Sequence, residues 1–165
     1  MIDLDKYWEQ SVSCALLAKY FAESQHMREP ERLFVAGLLH DIGELVIVSM
    51  MPEQARRCLA FNSRVTPEEL QRAILGFTYV ELSASIMREW GLPESIAAPV
   101  ADIHETGLSE PSVDVQILQL AYVLALDNAN PEIYANYHNL EPQHHEALSL
   151  SHQDLEDALD ITNLQ

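Results

Sequence analysis

Apolar residues return every three or four positions along most of this chain, and no stretch alternates with period two. The pattern predicts one all-α domain of about seven to nine helices and no sheet. Trp8, Val12, Ala15, Leu16, Lys19 and Tyr20 form the stripe of a first helix over residues 4–25, widened by Leu17 and Phe21. Pro30 suits the first turn of a second helix, where a missing N–H is no loss. That helix is expected to run unbroken to about Met50. Its residues 35–48 are apolar on every face except at His40, Asp41 and Glu44, so it reads as the buried centre of the fold. Pro52 opens a third helix toward Phe61. Thr66-Pro67-Glu68-Glu69 has the form of a capping box with proline in the first turn, and the helix it starts ends near Gly76. Another helix covers about 78–90, with Gly91 as its left-handed cap. A short one starts at Leu92-Pro93-Glu94-Ser95 and ends near His104, followed by a loop from Thr106 to Pro111. A long helix over about 112–128 places Val113, Ile117, Leu120 and Leu124 on one face. Residues 130–150 have a poor pattern and read as an irregular, partly helical connection. Ser151 then caps a last helix at about 151–160 with Leu155, Ala158 and Leu159 inward.

The length of 165 residues suits one core. Nine Lys and Arg stand against 26 Asp and Glu, a formal charge of -17. Such a surface repels phosphate backbones and anionic bilayers, which argues against nucleic-acid and membrane partners. No uninterrupted apolar run of about 18 residues and no basic-then-apolar leader is present. Cys14 and Cys58 form no CxxC and read as reduced thiols of a cytoplasmic protein.

A His-Asp pair in an apolar helix is expensive, because a buried carboxylate needs a cation or several hydrogen bonds. His40-Asp41 alone is a weak signal. Set inside Gly37-Leu38-Leu39-His40-Asp41-Ile42-Gly43, preceded by Trp8-Glu9-Gln10-Ser11 and followed by Glu89-Trp90-Gly91-Leu92-Pro93, it resembles the HDOD domain. That family is a regulatory branch of the HD metal-phosphohydrolase superfamily. The likeness covers roughly residues 7–126. The family's domain also carries an N-terminal helical half of about a hundred residues. This chain is therefore expected to match the HD-like half only, as a fragment or as a reduced natural protein.

The resemblance implies a ligand set and shows it depleted. Catalytic HD relatives place a histidine where this chain has Gln10, and keep the pair found here as His40-Asp41. A later histidine corresponds to Tyr79, a His-His pair to Ile103-His104, and a final aspartate to Tyr122. Only His40, Asp41 and His104 remain as donors, and tyrosine and isoleucine are poor ligands for a hard divalent ion. The expectation is a vestigial polar network of Gln10, His40, Asp41, Tyr79, His104 and Tyr122. In it Asp41 accepts hydrogen bonds from Gln10 or Ser11 and from Tyr79 or His104. No cofactor is expected, a weakly held divalent ion on His40, Asp41 and His104 being the fallback. Glu44 reads as a rim residue, and Trp8 and Trp90 as packing between helices. His138, His144, His145 and His152 read as surface histidines.

The resemblance further implies a bacterial signalling domain, attached in its relatives to receiver, cyclic-dinucleotide or kinase modules. It would work by protein contacts, with homodimerisation over any face the absent half leaves bare. The alternatives are a residual metal-dependent phosphohydrolase acting on a nucleotide or cyclic dinucleotide, and a small-molecule sensor that reuses the degenerate cleft.

Overall fold

The architecture of the computed structural model follows from one long helix that is apolar all round and from the pair of helices bent against it. The structure describes residues 3–60, 64–105, 111–129 and 151–163. Within these the order is α1 (Leu4–Ser24), α2 (Pro30–Leu39), α3 (Ile42–Met50), α4 (Pro52–Arg57), α5 (Pro67–Leu75), α6 (Tyr79–Glu89), α7 (Glu94–Ala101), α8 (Val113–Ala129) and α9 (His152–Asn163), with no strand among the described residues. The expected connection at 130–150, with His138, His144 and His145, lies outside them, as does most of the expected loop at 106–111.

The buried centre is α8, not the 35–48 stretch. Val115, Ile117, Leu118, Leu120, Ala121, Tyr122, Val123, Leu124 and Leu126 are all buried. Helix α1 lies against both α2 and α8, α6 against α3 and α7, and α9 closes on α1. Leu17, Phe21, Leu33, Met87, Val100, Ile117 and Leu118 fill the main core.

Residues 30–50 do not form one unbroken helix. The chain turns at His40 and Asp41, which end α2 and precede α3. By length and composition alone this stretch is apolar enough to cross a bilayer. Here it is two short helices, and only one side of each is covered: Leu33, Ala36, Gly37, Gly43 and Ile47 are buried, whereas Phe34, Val35, Leu38, Leu45 and Val46 are partly exposed. All-round apolarity does not become all-round burial on a bent pair of helices, because each packs by one side.

The stripe expected on α1 is also rotated. Tyr7, Ser11, Cys14, Leu17, Ala18 and Phe21 face inward, while Trp8 is 52% exposed and Val12 41%. Trp90 is 61% exposed, so neither tryptophan packs between helices as expected. Small residues, not large ones, select the contact face. A Cβ on Gly37 would lie 2.8 Å from Ala15 Cα, so α1 and α2 approach backbone to backbone.

Local chemistry sets the remaining corners. Thr66 and Glu69 form the expected capping box, and Gly76 ends α5 with φ +85°. Thr78 and Glu81 form a second box at the start of α6, and Gly91 follows α6 with φ +79°. Ser151 and Asp154 bond reciprocally at the start of α9, which runs to Asn163, three residues beyond the expected end. The Arg32 guanidinium joins three helices at once, donating to Ser95 O at 2.9 Å and pairing with the Asp114 carboxylate.

Gly37→Ala should destabilise the fold by about 1–3 kcal/mol, because the Ala15 backbone cannot yield to a new methyl. Gly76→Ala, which meets no atom within 4 Å, should cost only about 1 kcal/mol through its positive φ. Urea midpoints of the two variants check the order.

Candidate functional site

The turn between α2 and α3 sends two adjacent polar side chains into two different surroundings. His40 is fully buried. Its Nδ1 lies 2.6 Å from Gly37 O. A carbonyl only accepts, so Nδ1 carries the proton and Nε2 of the neutral ring is the acceptor. Gln10 fills that role from α1, with its side-chain amide nitrogen 3.2 Å from Nε2. Both ring nitrogens are thereby engaged. Burial pulls the His40 pKa down to about 4, against the opposing bond to Gly37 O, so the ring is neutral at pH 7.

Beyond His40 the polar chain continues through rings. The Tyr122 ring stands edge-on to His40 at 5.7 Å and edge-on to His104 at 4.8 Å. Burial, helped by the positive Arg72, also holds His104 down at about 4. Its Nδ1 is 4.0 Å from Glu68 Oε1. The rings of His40 and His104 thus each meet the one Tyr122 ring edge-on.

Asp41 lies among other groups. Burial, and then the neighbouring charge of Glu44, push its carboxyl well above the usual range. Both causes favour the protonated form of Asp41, which pairs with the Glu44 carboxyl one turn along α3. Around the pair, burial and the Asp41 charge raise Tyr7 to about 12. Tyr79 is raised for the same first reason and hydrogen-bonds Cys58. Cys14, fully buried, is raised too. Ser11 Oγ is buried beside the Tyr7 hydroxyl, whose rise it opposes.

The expected network is thus split. Gln10, His40, Tyr122 and His104 are linked in one group, whereas Asp41 and Tyr79 fall in another. Asp41 does not take its hydrogen bond from Gln10, which serves His40, nor from Tyr79, which serves Cys58. Its partner is Glu44, a residue assigned to the rim. The sequence did carry a sign of this: Asp41-Ile42-Gly43-Glu44 has the spacing of a helix start, which marks both the break and the pairing. The carboxyl of Asp41 makes no cap to α3 itself. Gly43 N–H instead donates to Ser83 Oγ at 2.8 Å, and Ser83 donates on to Tyr79 O at 2.8 Å. A Cβ on Gly43 would run into that carbonyl, so α3 is seated on α6.

The donor set does not suit a divalent ion. His40 Nε2 faces an amide N–H, Asp41 is paired with Glu44, and His104 lies across Tyr122. Among the described residues no group of three or more His, Cys, Asp or Glu side chains converges as a metal site would require.

These features define an all-α domain with a buried His-Asp pair at the turn between two helices. The HDOD domain model matches residues 1–106, and the chain belongs to the HDOD family. No curated protein matches it. Among solved structures, it is similar to the MmoQ response regulator of Methylococcus capsulatus strain Bath (TM-score 0.70, 21% identity, 96% of this chain and 61% of that one). It is also similar to a protein of Shewanella amazonensis SB2B provisionally described as a phosphohydrolase (TM-score 0.74, 21% identity, 98% and 60%). A third likeness is to a protein of Marinobacter aquaeolei VT8 provisionally described in signal transduction (TM-score 0.65, 20% identity, 98% and 39%). At these identities the likeness establishes the fold. The chain spans about three fifths of the first two proteins and two fifths of the third.

Asp41→Ala should cost about 1–3 kcal/mol at pH 7 by stranding Glu44 without its donor. Asp41→Asn, whose amide N–H can still donate, should cost less. The pH dependence separates the groups further. His40 and His104 stay neutral in the fold down to about pH 4 but charge near 6.5 when unfolded. Their stabilisation is full above pH 6.5 and is lost as pH falls toward 4. Asp41, raised above its unfolded value of 3.8, contributes in the opposite sense: its stabilisation is full below about 3.8 and is lost as pH rises. Asp41→Asn should therefore lose stability more steeply than wild type between pH 6.5 and 4, as read from urea midpoints.

Proposed function

We propose that this chain is a non-catalytic regulatory module of signal transduction that acts through contacts with other proteins. The observation that carries the reading is the state of His40-Asp41: one ring with both nitrogens engaged, and one buried acid paired with a second acid. Hydrolysis of a phosphodiester by metal-bound hydroxide needs ionised, convergent donors and charge stabilisation at the phosphate. Gln10, Tyr79 and Tyr122 supply neither, and a net charge of -17 opposes an anionic substrate. Free, buried Cys14 and Cys58 fit a reducing cytoplasm.

The outer surface supports a role in contacts. Leu4, Trp8 and Val12 recur every four residues on α1 and are all exposed, the form of an apolar stripe that another protein, or a second copy, can cover. The alternative of a residual phosphohydrolase draws on the fold likeness to the Shewanella protein.

Purified protein should contain well below one equivalent of transition metal. It should not hydrolyse cyclic dinucleotides or a chromogenic phosphodiester in the presence of manganese or iron. Stoichiometric metal together with turnover that Asp41→Ala abolishes would reverse the reading.

A further inference from the structure

Away from the His40 group, α3 and α4 meet at a sharp corner with only Met51 between them. The corner encloses a cavity of about 210 Å³. Val48, Pro52, Ala55 and Leu59 form its apolar walls, and Glu44 supplies a carboxylate. The other charges in its lining, Arg56 and Glu53, pair with each other. Glu44 is in no ion pair among the described residues, and its Asp41 neighbour is another acid, not a cation. Leu59 of the lining is 52% exposed, and at the turn of the corner Met50 and Met51 are 76% and 36% exposed.

We propose that the α3–α4 corner docks a basic segment of a partner protein, with one lysine of that segment seated in the cavity and its ammonium on Glu44. The assignment deepens the protein-contact reading above and rests on it. Size favours a single side chain, because sites for whole small ligands span roughly 300–1,000 Å³. The wall chemistry favours lysine: a four-carbon arm lies against apolar surface while a compact charge meets one carboxylate. Arginine's fork needs both oxygens of one carboxylate, and Glu44 already shares its carboxyl with Asp41. The exposed Met50, Met51 and Leu59 then call for apolar residues on either side of the lysine, and flexible methionines suit a surface that repacks around its partner. The charge of -17 draws a basic segment toward this face and repels an acidic one.

The full chain, labelled with ¹⁵N, is titrated with three probes: the blocked pentapeptide Ala-Leu-Lys-Leu-Ala, the same peptide with norleucine for lysine, and hexylamine. The expected result is a set of amide shifts confined to α3, α4 and Leu59, with the norleucine peptide and hexylamine each at least about tenfold weaker than the lysine peptide. Glu44→Gln should weaken the lysine peptide by about tenfold. Leu59→Lys, at an exposed position that puts a like charge on the mouth, should abolish binding even if Glu44→Gln disturbs the buried acid pair. Absence of shifts at this corner overturns the proposal, as does equal affinity for the norleucine peptide or no effect of Leu59→Lys. Hexylamine binding as tightly as the peptide would replace it with a small-molecule site. Metal content and turnover do not depend on Leu59, so these outcomes stand apart from those that would reverse the reading as a non-catalytic module.

Discussion

The close approach of α1 and α2 at Gly37 and Ala15 is the constraint from which the site follows. With no side chain between the two backbones, α2 lies low on α1, and its last residue is driven into the interior. His40 is that residue. A buried imidazole without partners would be costly, and the same closeness supplies them. Gly37 offers its carbonyl from one turn back, and Gln10 reaches across from the facing helix. The neutral, doubly bonded ring is thus a consequence of helix packing as much as of its own chemistry. Asp41, one residue on, leaves that contact and enters the space between α3 and α6. There it settles against Glu44, with Tyr7 and Tyr79 nearby.

Two adjacent residues that could serve one centre are therefore committed to two. In a hydrolytic site the pair would converge on an ion, and charge would hold them together. Here the electrostatic situation is the reverse. Burial holds the histidine neutral, and burial with a second acid favours the protonated aspartate. The polar groups at this turn are thereby spent on one another and on the helices that they join.

Much of this fold was legible along the chain where the signals were local. Thr66 with Glu69, Gly76, Gly91 and Ser151 mark helix ends by hydrogen-bond and φ requirements that neighbouring residues alone satisfy. The failures came where tertiary contact decides. Trp8 and Val12 looked like core because they are large and apolar, but Ser11, Cys14 and Ala18 make the flatter face against which α2 and α8 can lie. The apolar run around His40 looked like a central helix because composition does not reveal a bend; Asp41-Ile42-Gly43-Glu44 did contain the helix-start spacing that marks it. The Arg32 link to Ser95 and Asp114 left no trace in any pattern, since its partners are far away in sequence. For the site, the residue types were readable from the HD-like motif, but their division into two groups depends on which way each side chain leaves the turn.

The corner between α5 and α6 behaves differently from everything else described. Each of its devices (two reciprocal threonine-glutamate caps, a left-handed glycine and the Arg72–Glu81 ion pair) is contained between Thr66 and Glu81. Such a unit closes only short loops, so little chain entropy opposes it. The union of α1 with α8, by contrast, must bring together segments about a hundred residues apart. That elbow is thus held by sequence-local devices alone, and its α6 arm is the surface on which α3 and α7 rest.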